Sequence, residues 1–195
     1  MQDFTLWLSI GFNHILDWQG YDHILFVTVL CAAYSFTEWK KVLILVTAFT
    51  IGHSLTLALS VLDVLKIPSA IIEFLIPVTI VITALTNIIT RNKPAQKTNP
   101  IYFLALFFGF IHGMGFSYLL KSLLGKEQSV IMPLFSFNLG LELGQMLIVA
   151  VVLLISLFLT SFLKVKKNNL NFFVSSVIIG IAFIMAIQRL FVLIN

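Results

Sequence analysis

Long apolar runs separated by short polar connections set the plan of this chain. Residues 4 to 16 are apolar and aromatic but short of the roughly 20 residues that a spanning helix needs. They predict a helix in the membrane interface or dipping into it, with Trp7 and Trp18 as anchors. Full spans are predicted from about Tyr21 to Phe36, Val42 to Leu62, Pro68 to Thr90, Ile101 to Leu124, Ile131 to Leu163 and Leu170 to Leu193. Pro68 suits a first turn, whereas Pro77 inside the third span should kink it. The segment RNKPAQKTNP, residues 91–100, is the most breaker-rich and predicts a flexible loop. The last span holds no acid and no histidine and reads as scaffold. The pattern predicts an all-α polytopic helical membrane protein, a single transmembrane domain over 1–195. It has about six transmembrane helices plus a short N-terminal interfacial helix.

Composition agrees and narrows the choice. The chain is 59% hydrophobic and 10% charged with mean hydropathy +1.05, against roughly 25% charged in a soluble domain. A water-soluble fold is excluded, and without β-alternation the backbone must satisfy itself in helices. A net charge of +4 raises nucleic acid as a partner, but the basic residues lie in the connections between spans, so none is expected. The connections after spans one, three and five hold Lys40, Lys41, Arg91, Lys93, Lys97, Lys164, Lys166 and Lys167, 8 of the 12 basic residues. That bias puts both termini outside, in a bacterial-type inner (plasma) membrane, with membrane lipid as surroundings. It also places Asp22 and Glu73 near the outer ends of their spans, with His53, His112 and Glu142 deeper. Cys31 is the single cysteine, so neither an internal disulfide nor a CxxC site is available. The start Met1-Gln2-Asp3 has no basic region, and no removable signal peptide is expected.

The chemistry concentrates in few residues. Asp22 and His23, within Gly20-Tyr21-Asp22-His23-Ile24-Leu25-Phe26, open the first span, and none of the other three histidines, His14, His53 and His112, lies in a polar region. A carboxylate at a helix centre costs about 2.5–3.5 kcal/mol on insertion scales. Asp22, Glu73 and Glu142 therefore need partners: each other, protons or a cation. Thr47, Thr50 and His53 share one helix face, and Asn138, Glu142 and Gln145 form another stripe. Imidazole with carboxylate and amide oxygen suits a divalent transition metal such as nickel, cobalt, zinc or copper. The expected metal ligands are His23, His53, His112, Asp22, Glu142 and His14, with Asn138, Gln145, Glu73 and Thr50 behind them. Asp22 and His23 point about 100° apart on a helix, so one of them can act behind the other. His14 is as well suited to a lipid headgroup as to a metal. Gly109/Gly113 and Gly140/Gly144 are small-xxx-small pairs that permit close helix approach. Phe49 and Phe108 each precede a histidine by four residues.

Two functions from different classes fit. A permease would pass a divalent ion inward; no nucleotide-binding motif accompanies it. A zinc-dependent hydrolase would hold its metal on His23, His53 and His112, use Glu142 or Asp22 as general base, bind substrate with Ser54, and act on a lipid or peptide at the outer leaflet. A haem held by His53 and His112 fits poorly beside carboxylates.

The segments Gly11-Phe12-Asn13-His14, Gly20-Tyr21-Asp22-His23, Phe49-Thr50-Ile51-Gly52-His53-Ser54, His112-Gly113-Met114-Gly115-Phe116 and Phe137-Asn138 through Glu142 to Gln145 together resemble the HupE/UreJ family of hydrogenase/urease accessory membrane proteins. The resemblance implies a nickel, or cobalt, permease with metalloenzyme-maturation proteins as partners. It implicates His14, Asp22 and His23, then His112 and Glu142. The chain departs from the pattern in the seven residues between His14 and Asp22, more than in the better-known members, and in an acid far downstream of His112. Transport ranks first on the resemblance.

Overall fold

A computed structural model describes residues 2–92, 99–124 and 130–194. The centre of the predicted 91–100 loop, with Lys93 and Lys97, lies outside the described residues. The elements are α1 (Gln2–Ile15), α2 (Asp22–Ala32), a 3-10 turn (Phe36–Glu38), α3 (Trp39–Val61), α4 (Ser69–Thr90), α5 (Asn99–Leu124), α6 (Ile131–Ser161) and α7 (Lys167–Ile194). Among the described residues there is no strand.

Four stretches are long and apolar enough to cross a membrane: Phe36–Val61, Ser69–Thr90, Ile131–Ser161 and Lys167–Ile194. The expected count of about six is not reached on that measure. Asp22–Ala32 and Ile101–Ser117 are apolar but shorter. At 1.5 Å per residue α2 is only about 16 Å long, half of a hydrocarbon core of about 30 Å. It stops before Phe36 because Ser35 begins a new element. Ser35 Oγ donates to Glu38 Oε2 at 2.9 Å and the Ser35 backbone N–H donates to the same oxygen at 3.1 Å, a capping box for the turn into α3. Glu38 also takes Lys41 and Lys167, each at 3.0 Å, and so ties the starts of α3 and α7.

Glycines decide which helices touch. A side chain on Gly11 or Gly140 would overlap the backbone of Phe137 or Leu8, and one on Gly144 would meet Ile15, so α1 lies backbone to backbone along α6. Trp7, expected as an anchor, is buried in the core beside that contact, while Trp18 is 82% exposed. Gly52, Gly109 and Gly113 do the same for α3 and α5, whose backbones meet at Phe49, His53 and Leu106. A third pair joins α4 to α7, with Arg189 donating to Glu73 at 2.6 Å at its edge. Helix α4 runs on through Pro77. The short α2 lies among α3, α4, α6 and α7, so its first turn is delivered to the middle of the bundle. Beyond the bundle, the Asp63 carboxylate in the α3–α4 connection is held below its usual range, chiefly by its hydrogen bond from Lys121 on α5.

Candidate metal centre

Four helices deliver the histidines: His14 from the last turn of α1, His23 from the first turn of α2, His53 from within α3 and His112 from within α5. Their rings gather around His23, whose centroid lies 4.9 Å from that of His14, 5.9 Å from His53 and 5.3 Å from His112. Close packing of α3 on α5 at Gly109 and Gly113 brings His53 and His112 to one level. His53 is 0% and His112 1% exposed.

Hydrogen bonding fixes two of these rings and leaves their other nitrogens open. His23 Nδ1 is 2.9 Å from Asp22 Oδ1, which also accepts the His23 backbone N–H at 2.8 Å. His112 Nδ1 is 2.9 Å from the carbonyl of Phe108. A carbonyl only accepts, so in the neutral ring the proton sits on Nδ1 and the Nε2 lone pair is free. Asp22 imposes the same tautomer on His23, the arrangement by which a carboxylate orients a metal-binding imidazole.

Five ring nitrogens are buried with no hydrogen-bond partner: Nε2 of His14, His23, His53 and His112, and Nδ1 of His53. Each buried unsatisfied group costs about 1–3 kcal/mol, and native proteins keep few of them. Their concentration in one place makes the cluster a candidate metal site. His14, His23 and His53 each offer one ligand atom, all within 4.8 Å of one another. Tetrahedral ligands with bonds near 2.0–2.1 Å stand about 3.4 Å apart. Neutral imidazoles with one carboxylate behind them suit a borderline divalent cation.

The other expected residues sit elsewhere. Glu142 accepts a hydrogen bond from Thr47 at 2.8 Å, and Gln145 accepts one from Thr50 at 2.6 Å, both along the seam of α3 and α6. Thr47 and Thr50 share their face with His53, so this seam continues the site along α3 without entering the ring cluster. Asn138 Nδ2 donates to the Leu134 carbonyl at 2.8 Å, and its Oδ1, like Gln145 Nε2, is buried without a partner. Ser54 donates to the carbonyl of Thr50 at 2.7 Å. Glu73 is outside the cluster, paired with Arg189.

Phenylalanines wall the site. The Phe116 ring centroid is 3.9 Å from that of His14, and Phe49 and Phe26 stand 5.0 and 5.2 Å from His112. The repeated Phe-to-His spacing of four was a usable signal, because residues four apart lie on one helix face.

The sequence model of the HupE / UreJ protein family matches residues 1–191 of the chain. No curated protein and no solved structure matches it.

Proposed function

The chain belongs to the HupE/UreJ family, and on that premise we propose that it is a permease for a divalent transition-metal ion, nickel or cobalt, with His14, His23, His53 and His112 as the binding station. The family points to a transporter of these metals in a helical membrane protein. The observation that carries the reading is the set of five buried, unpartnered imidazole nitrogens on four converging helices. Asp22 orients His23 and supplies a negative charge beside the rings. The ion enters from the outside, in a chain with both termini outside, and is handed on to metalloenzyme-maturation proteins within. Glu142 and Gln145 form a neighbouring polar seam rather than ligands of the first ion.

A hydrolase would need a general base within about 2.6–3.2 Å of the reacting proton, or one water away. Of the groups a hydrolase would use, Glu142 and Ser54 bond to Thr47 and the Thr50 carbonyl, and Asp22 is engaged by the ring and the backbone N–H of His23, so we retain transport. Purified protein in sealed vesicles should admit nickel or cobalt down a gradient, and His23→Ala should abolish entry while the fold persists. Vesicles closed to both ions, around a protein that keeps stoichiometric zinc and loses an activity in Glu142→Gln, would replace this reading with the hydrolase.

A further inference from the structure

A station of several imidazoles holds its ion tightly, and a permease must also let it go. Conduction needs weaker, successive sites beyond the tight one. On the far side of Phe26 and Phe108 from the histidines, α2, α4 and α5 line a partly open cavity of about 70 Å³, apolar over most of its wall. One water needs about 10–15 Å³ of such space, so it has room for several. One wall is a column on α4: Thr83, Thr86, Asn87 and Thr90. Steps of three and four residues put these on one helix face, along about 10 Å.

The column offers oxygen lone pairs. Thr83, Thr86 and Thr90 each donate their hydroxyl proton to a carbonyl one turn back, at 2.9, 2.8 and 2.7 Å. Their oxygens therefore remain free to accept or to coordinate. Asn87 donates its amide to the Val29 carbonyl at 2.7 Å, which fixes the side chain across to α2. At the histidine end two aromatic rings close the space. Phe26 is 0% and Phe108 3% exposed, their ring centroids are 6.2 Å apart, and Phe26 lies 5.2 Å from His112. At the other end the cavity reaches Tyr34 and Thr90, the latter beside Arg91 and the former six residues of chain before Lys40.

We propose that this cavity is the second half of the ion's route, in which a partly hydrated divalent cation leaves the histidines past Phe26 and moves along the oxygens of Thr83, Thr86, Asn87 and Thr90 to the basic end of the bundle. Phe26 is the gate between tight imidazole binding and weak oxygen binding. The hydroxyl and amide oxygens are harder, weaker donors for these metals than imidazole, so the ion is released rather than trapped. This inference rests on the transport reading.

The test introduces a thiol by Thr86→Cys in a Cys31→Ala chain, reconstitutes the folded protein in sealed vesicles, and measures cobalt entry before and after a bulky maleimide. Ile89→Cys, on the same helix at a position 65% exposed, is the control. Labelling the Thr86→Cys thiol should remove most of the cobalt entry, and labelling the Ile89→Cys thiol should not. Phe26→Leu, run in parallel, should speed entry because a smaller side chain lowers the gate. Entry that survives complete labelling in Thr86→Cys, equal loss in Ile89→Cys, or an unchanged rate in Phe26→Leu overturns the route and leaves transport standing. A Cys31→Ala parent that binds cobalt but admits none overturns the transport reading itself.

Discussion

Replacing Asp22 by Asn removes one charge and no atoms' worth of volume, and so isolates what the carboxylate does for His23. Asp22 Oδ1 holds the His23 ring at Nδ1 and its backbone N–H, at 2.9 and 2.8 Å. A hydrogen bond to a charged group contributes about 1.5–3 kcal/mol. Loss of a carboxylate behind a metal-binding histidine lowers metal affinity by about 10–100-fold. At about 1.4 kcal/mol per tenfold, the two figures agree. Asp22→Asn should therefore weaken cobalt or nickel binding about 10–100-fold while the number of ions bound at saturation stays the same, read from a titration of the purified protein. His23→Ala should instead remove the high-affinity ion. An unchanged affinity in Asp22→Asn would show that the pair does not tune the site, and loss of the ion equal to that in His23→Ala would make Asp22 a direct ligand.

Three further outcomes are specific. Gly109→Val should lower the thermal midpoint in detergent by the equivalent of at least about 1–3 kcal/mol, because its Cβ would overlap the Phe49 carbonyl and lie 3.1 Å from His53 N; Gly180→Ala, with nothing within 4 Å, should not destabilise. Glu73→Gln should leave metal affinity unchanged and cost less than about 1 kcal/mol of stability, since it breaks only the part-exposed pair with Arg189; a weakened metal titration would bring Glu73 back to the site. A thiol placed by Asn92→Cys in a Cys31→Ala chain should resist an impermeant reagent in intact cells, and ready labelling would reverse the orientation.

Much of the site was legible because burial of a polar group in lipid is costly and therefore rare. Four histidines and an Asp-His pair in apolar runs marked the candidates for one cluster before any geometry. What the sequence could not show was which residues share it. Glu142 looked like a ligand on cost alone, but a hydroxyl on α3 meets it first. Glu73 found Arg189, 116 positions away, because α4 pairs with α7, a pairing no local pattern encodes. His14 was ambiguous because its helix is short, and only the glycine contacts of α1 with α6 bring it inward. The span lengths failed most clearly at α2. Hydropathy runs on to Phe36, while the helix ends at Ala32 and a new element starts at the Ser35–Glu38 capping box.

If the proposed station is right, His14, His23 and His53 close on one ion, with His112 beside them. X-ray absorption of the cobalt-loaded protein tests it most directly. The expected spectrum is that of a shell with at least three imidazole nitrogens at about 2.0–2.1 Å, losing a nitrogen in His53→Ala. A shell made of oxygen alone, or one identical in the wild-type protein and in His53→Ala, would contradict it.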